Sequence, residues 1–290
     1  MIKASIVGAG GYTGEELLKI FERHPAVEVA GVYDLGALVS KPVSEIYPHI
    51  NLKEKVHCRK LDPEELSGSS GVVFLALPHG QSVPIVRQIL KGAGRVIDLS
   101  ADFRLKDVSV YEKWYTKHKA PELLRESVYG IPELYREEIK NASLLANPGC
   151  YPTTVILGLA PLLRSFSSTL DMASVIVDSK SGVSGGGRNF ARVYYEREHP
   201  NFKPYDTAGL HRHIPEMEQE LARLTPDAPA LTITFTPQVI PVERGMLSII
   251  YVNSKKKLST EELRNAYYEF YKDKPFIRVL GEKQLPSIKN

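Results

Sequence analysis

The chain has 290 residues with 43% hydrophobic and 24% charged content, enough apolar material for a sizeable core and enough length for two domains. Its 37 basic and 34 acidic residues leave a net charge of +3, too small and too evenly spread to point to nucleic acid. Cys58 and Cys150 make no disulfide framework, no apolar run approaches the ~20 residues of a membrane span, and no basic stretch with a signal-type core opens the chain. These features predict a cytoplasmic globular protein with no membrane or nucleic-acid partner, and Lys255, Lys256 and Lys257 read as a solvated loop.

Residues 4–7 read as a short buried strand, followed by Gly8-Ala9-Gly10-Gly11-Tyr12-Thr13-Gly14. An amphipathic helix comes next, with Leu17, Leu18 and Phe21 on one side and Glu15, Glu16, Lys19 and Arg23 mostly opposite. Residues 27–33 form the second strand, ending at Asp34. The apolar run 72–77 lacks polar alternation, as a central parallel strand covered on both faces does. Pro78-His79-Gly80 breaks it, residues 81–90 look helical, and 95–99 and 144–146 are further strands. Strands alternating with helices on this spacing predict a doubly wound α/β domain over residues 1–149.

Beyond residue 149 the texture changes to that of an α+β domain, 150–290. Residues 154–163 look like an apolar helix, 175–178 a strand and 182–187 a glycine-rich loop. The segments 231–236 and 246–252 alternate like paired strands, joined by a loop with Pro237, Pro241 and Gly245. Residues 261–271 read as a helix with Leu263, Ala266, Tyr267 and Phe270 inward, and 276–280 as a last element before a polar tail.

Four constellations carry chemistry. Gly8, Gly11 and Gly14, three apart between a strand and a helix with Asp34 twenty residues on, suit a dinucleotide pyrophosphate laid on a helix N-terminus. Tyr12 and Thr13 lie within the loop, while Pro78 and His79 border the same crevice. Position 13 departs from a strict G-x-G-x-x-G, and a plain βα turn is the simpler alternative. Second, Asn147-Pro148-Gly149-Cys150-Tyr151-Pro152-Thr153 sets a cysteine at a helix start, where N–H donors and partial positive charge favour a thiolate. Third, His211-Arg212-His213-Ile214-Pro215-Glu216 supplies two histidines that project to one side if extended. They suit a general base beside the thiolate, the competing reading being a zinc site of Cys150, His211 and His213. Fourth, the run 181–188, with Ser184, Gly185 and Arg188, reads as a nest of N–H groups for a phosphate or carboxylate. Arg104, after a parallel-type strand, is a second anion clamp. Cys58, in a polar segment with no helix start after it, reads as inert.

Together these residues resemble the N-acetyl-gamma-glutamyl-phosphate reductase family, of the longer type related to aspartate-semialdehyde dehydrogenases. The runs that carry the resemblance are 8–14, 76–80, 98–104, 129–134, 147–153, 181–188 and 211–216, in family order over nearly the whole chain. It implies a Rossmann-type nucleotide domain with an α+β catalytic and oligomerisation domain, in a homo-oligomer (dimer or tetramer). It also implies NADP-dependent reduction of N-acetyl-glutamyl 5-phosphate in arginine biosynthesis, with Cys150 as nucleophile and the two histidines close by. His213 is then the proton-transfer group with His211 close behind, Glu216 orients one of them, and no metal takes part. Two departures stand out. Asp34 replaces a Ser/Arg-containing turn suited to the NADP 2′-phosphate and suits a free ribose hydroxyl, which keeps NAD open. The family's Asp-Asn…Lys-Gly-Ala helix, which packs back on the nucleotide domain, is expected to be missing from this chain, which stops at Asn290. A sibling reductase of aspartyl or carrier-linked aminoadipyl phosphate, or a nucleotide-binding protein without turnover, are the alternatives.

Overall fold

The computed structural model describes residues 1–52, 55–92, 94–229 and 231–289. The chain divides into two compact units, Met1–Pro148 and Gly149–Asn290.

The first unit alternates strands and helices: β1 (Ile2–Val7), α1 (Tyr12–Arg23), β2 (Val27–Asp34), α2 (Val43–Ile46), β3 (Cys58–Lys60), α3 (Pro63–Ser69), β4 (Val72–Leu75), α4 (Ser82–Lys91), β5 (Arg95–Asp98), α5 (Val108–Trp114), α6 (Leu123–Glu126), β6 (Val128–Tyr129), α7 (Pro132–Asn141) and β7 (Leu144–Ala146). The strands form one parallel sheet in the order β3-β2-β1-β4-β5-β7-β6. The order in which the chain adds strands reverses between β1 and β4, so the crevice of this doubly wound sheet opens past their carboxyl ends. Both faces are covered, as an all-parallel sheet requires. Val7, Tyr33, Val73 and Leu75 enter one core with Val83, Val86 and Ile89 of α4. Ala4, Ile6 and Val32 enter the other with Leu18 and Phe21 of α1, and Val72 and Phe74 pack against it. Glu15 falls on the buried side of α1, not opposite it, and pairs with Lys19 at 2.9 Å and His49 at 3.1 Å.

The second unit comprises α8 (Cys150–Phe166), β8 (Val175–Ser181), α9 (Gly187–Arg197), β9 (Lys203–Pro204), α10 (Ile214–Leu224), β10 (Ile233–Val239), β11 (Met246–Tyr251) and α11 (Thr260–Tyr271). Its mixed sheet runs β11-β8-β10-β9. The expected pairing of the last two strands does not occur: β8 lies between them, parallel to β10 and antiparallel to β11. Pro237, expected in a loop, sits within β10, where β9 pairs only with Gln238 and Val239. Its missing N–H therefore breaks no bond of that short ladder. Leu263, Ala266, Tyr267 and Phe270 of α11 are half-buried, while Tyr271 is buried and donates its hydroxyl to the Leu157 carbonyl of α8 at 2.6 Å. Residues 276–280 adopt no regular element. Among the described residues no helix is long and apolar enough to cross a membrane.

Candidate active site

In the first unit the loop after β1 is shaped by what its glycines exclude. Gly8 has φ +87°, and a Cβ there would fall on the Ala76 carbonyl oxygen at the end of β4. A Cβ on Gly14 would stand 2.6 Å from both the Ala9 Cα and the Gly8 carbonyl oxygen. The loop is thus a bare backbone cradle ending at Gly11, the N-cap of α1, with Tyr12 and Thr13 in that helix's first turn. Asp34 closes it from β2. Its Oδ2 accepts the Gly10 N–H at 3.0 Å, and its Oδ1 accepts the N–H groups of Leu35 and Gly36 at 2.8 and 2.9 Å. These fill about three of the roughly four acceptor positions of a carboxylate.

Across the switch point, Asp102 fixes the loop after β4. Its carboxylate accepts the Gly80 N–H at 2.7 Å, the Ser82 N–H at 3.3 Å and the Tyr111 hydroxyl at 2.8 Å. His79 is half-buried, and its Nδ1 accepts the Ala101 N–H at 2.9 Å, so it satisfies backbone beside Pro78. Asp98, at the end of β5, takes the Ser100 hydroxyl at 2.6 Å. Complete burial pushes its carboxyl up to about 6, against the pull of that hydrogen bond. Arg104 differs from the expected anion clamp. It is 5% exposed, and its guanidinium donates to the carbonyls of Asn147 at 2.7 Å and Leu99 at 2.8 Å. That grip holds the strand exit just ahead of the cysteine.

In the second unit Cys150 is the first residue of α8, four residues earlier than the apolar pattern indicates, and it is exposed. Gly149 is the N-cap, and its carbonyl accepts the Thr153 N–H at 3.0 Å and hydroxyl at 2.9 Å. Pro152 has no N–H, so the amides of Cys150 and Tyr151 are the helix's donors at the thiol's end. Positive potential there favours a thiolate and an oxyanion formed beside it. Cys58 is the opposite case: it is buried, and burial, then the Asp34 charge, pushes its thiol up to about 11.

The two histidines are not extended. They sit in a turn that leads into α10, with the His213 N–H donating to His211 Nδ1 at 3.1 Å. Their ring centroids are 4.8 Å apart, and both rings meet that of Tyr151, the residue after Cys150, edge-on at 5.6 and 6.1 Å. His211 is 5% exposed, and burial pushes its imidazole down to about 4, against Asp206. It is therefore neutral at pH 7, with its ring proton on Nε2, because Nδ1 is an acceptor. His213 is the N-cap of α10. Glu216, in that helix's first turn, is 1% exposed, and its Oε1 accepts the Gly149 N–H at 2.7 Å. Sequence reasoning missed Tyr205, whose hydroxyl donates to that of Tyr151 at 3.0 Å. Nothing local to residue 205 signals this partner, 54 positions earlier.

In the run 181–188, read as an N–H nest, most of the amides are engaged by the protein's own carbonyls. The amides of Gly182, Val183 and Ser184 donate to the carbonyls of Gly245, Val242 and Glu243, and that of Gly185 to Gly182. The N–H of Gly187, which opens α9, donates to the Ser184 carbonyl, and Arg188 beside it is exposed. Among the described residues no group of three or more His, Cys, Asp or Glu side chains is placed to hold a metal ion.

The state of His211 has a measurable consequence. Its folded value lies below the ordinary 6.5, so the unfolded chain takes up the proton first. Stability present in full above about pH 6.5 is lost as the pH falls to about 4, by up to about 3 kcal/mol. Asp98, raised in the folded state, works in the reverse sense, so the comparison is made against a variant. His211→Asn keeps an acceptor near the Nδ1 position and removes the titration. In urea melts, wild type should weaken relative to this variant between pH 7 and 4.5; a constant difference would rule this out.

Residues 3–142 match the family described as semialdehyde dehydrogenase, NAD binding domain, and residues 150–290 the semialdehyde dehydrogenase dimerisation domain. The N-acetyl-gamma-glutamyl-phosphate reductase of Pelotomaculum thermopropionicum is 46% identical over 290 residues, 99% of this chain and 82% of the relative. That of Geobacter sp. strain M21 is 47% identical over 289 residues, with the same two coverages. Aspartate semialdehyde dehydrogenase II from Vibrio cholerae, complexed with ASA, is similar in structure with TM-score 0.74 at 15% identity, over 99% of this chain and 83% of that one. A probable aspartate-semialdehyde dehydrogenase from Pseudomonas aeruginosa gives TM-score 0.70 at 17% identity, over 99% and 84%. At these identities the structural likeness establishes the fold, which is that of the semialdehyde dehydrogenases. Sequence identity sustained over 99% of the chain is more specific: this chain belongs to the N-acetyl-gamma-glutamyl-phosphate reductase family.

Proposed function

We propose that the protein reduces N-acetyl-glutamyl 5-phosphate to N-acetyl-glutamate 5-semialdehyde, releasing phosphate, with NADPH as reductant. The observation that carries this reading is an exposed cysteine on the first residue of α8, beside a tyrosine ring packed on two histidines. It stands in a chain 46% identical to an enzyme of that name. The Cys150 thiolate attacks the acyl carbon, the C–O bond to phosphate breaks, and a thioester forms on Sγ. His213 takes the thiol proton and later serves the oxygen of the thiohemiacetal, whose collapse expels the thiolate and frees the aldehyde. The amides of Cys150 and Tyr151 stabilise the oxyanion at each stage. Arg188 and the start of α9 hold the anionic end of the substrate. His211 frames His213.

The cradle from Gly8 to Gly14 fits a dinucleotide because at Gly11, its helix end, a Cβ would meet nothing but the Gly8 carbonyl oxygen, at 3.8 Å, which leaves the backbone open to a pyrophosphate. Tyr12 and Thr13 lie at its helix end, with Pro78 and His79 across the crevice. When bound, the reduced nicotinamide supplies a hydride. With three backbone donors on its carboxylate, Asp34 acts as a clamp on the loop rather than as a reader of the ribose, which favours NADP. Calorimetric titration should therefore give NADP the lower Kd. NAD binding tenfold tighter would restore Asp34 as a ribose ligand. We also infer a cytoplasmic homo-oligomer serving arginine biosynthesis; the second unit's match to a dimerisation domain supports the assembly, and sedimentation would measure it.

Phosphate-dependent oxidation of the semialdehyde, followed at the reduced nicotinamide, tests the activity. Turnover of aspartate semialdehyde in preference to the glutamyl compound would assign the chain to the sibling reaction. Nucleotide binding with neither turnover would make it a binding protein.

A further inference from the structure

We infer that Glu216 is the positioning residue that fixes the Cys150 nucleophile relative to His213, by gripping the backbone one residue ahead of the thiol. The inference rests on the reading of Cys150 as nucleophile and deepens it.

A glutamate third in a helix ordinarily turns back to its own N-cap, in a capping box. Glu216 occupies that place in α10, whose N-cap is His213, yet its Oε1 accepts an N–H from another helix, that of Gly149, 67 residues earlier. Gly149 is the N-cap of α8 and Cys150 follows it directly. One helical turn thus carries both the imidazole proposed for proton transfer and the carboxylate that holds the helix bearing the thiol. A bond of 2.7 Å thus joins the two helix starts.

Burial sharpens the argument. Glu216 is 1% exposed, and a carboxylate in such a place is costly unless it is hydrogen-bonded. Apolar side chains join helices at lower cost, so a buried acid here is explained by a need for direction. A short charge-assisted bond supplies it. The grip takes the N-cap amide, which directly precedes that of Cys150. Gly149 is itself buried, so losing the carboxylate would strand its N–H and release the turn.

The test compares Glu216→Gln, Glu216→Asp and Glu216→Ala in the full chain. Melting temperature and circular dichroism report folding; kcat, KM for nucleotide and the pH profile of Cys150 alkylation by iodoacetamide report position. Gln presents an oxygen at the same reach and should keep kcat within about tenfold, whereas Asp keeps the charge but is a methylene too short. Asp and Ala should lose about a hundredfold in kcat, the scale of a 1 Å misplacement, with KM for nucleotide unmoved and the alkylation profile displaced. The inference is overturned if Ala keeps the wild-type kcat and profile, or if Asp outperforms Gln. Should Ala fail to fold, the order of Gln over Asp still decides. Wild-type turnover that survives complete alkylation of Cys150 would overturn the nucleophile reading itself, whatever the order of the variants.

Discussion

Serine in place of Cys150 should lower kcat by about ten-thousandfold, while nucleotide binding by the first unit stays as in wild type. The hydroxyl is a poor nucleophile at neutral pH and, once acylated, a poor leaving group, so both halves of the proposed reaction suffer. The two cysteines of this chain make the assignment testable by a second route. Cys150 is exposed at a helix start, whereas Cys58 is buried with its thiol pushed up to about 11. One equivalent of iodoacetamide near pH 7 should label Cys150 and remove turnover together. Labelling of Cys58 with activity retained would be incompatible with a thioester on Cys150.

The functional features legible in sequence are those written in a few consecutive residues. The glycine loop between β1 and α1 and the cysteine at the start of α8 are of this kind, because a bare backbone and a helix N-terminus are local properties. Strand order is not local. The alternating runs that became β10 and β11 suggested a hairpin, but β8, formed more than fifty residues earlier, pairs with both. Alternation records one buried face and says nothing of the neighbouring strand.

The same limit governs the polar groups. Arg104, Asp34 and Ser184 are residue types that bind anions, riboses and phosphates when free to do so. Arg104 and Asp34 are occupied by backbone, Arg104 by the carbonyls of Leu99 and Asn147, Asp34 by the amides of Gly10, Leu35 and Gly36. The amide of Ser184 is likewise taken by Glu243. Glu216 was legible as a site residue, but its bond to Gly149 was not, since the acceptor and donor are brought together only when α8 and α10 pack. Tyr205 carried no sequence signal for the same reason.

Loss of the His213 imidazole should lower kcat by about 10²- to 10³-fold, the usual scale for a positioned proton-transfer group. His211→Asn should lower it by less than about tenfold. The asymmetry follows from the geometry of the pair. His211 is buried, pushed down to about 4, and its Nδ1 is engaged by the His213 N–H, so its job is to hold the turn. Asparagine offers an oxygen at nearly the same place and should hold the turn as well. His213, the N-cap of α10, keeps its backbone position when its ring is removed, because the bond to His211 uses its main-chain N–H. His213→Ala is therefore a clean deletion of the imidazole, and free imidazole in solution should restore part of the lost rate by entering the space vacated. Rescue should saturate with imidazole concentration and should be absent for Cys150→Ser, in which no thiol awaits the base. A severe loss on His211→Asn with little effect of His213→Ala would exchange the two roles and make the buried, neutral ring the one that moves the proton.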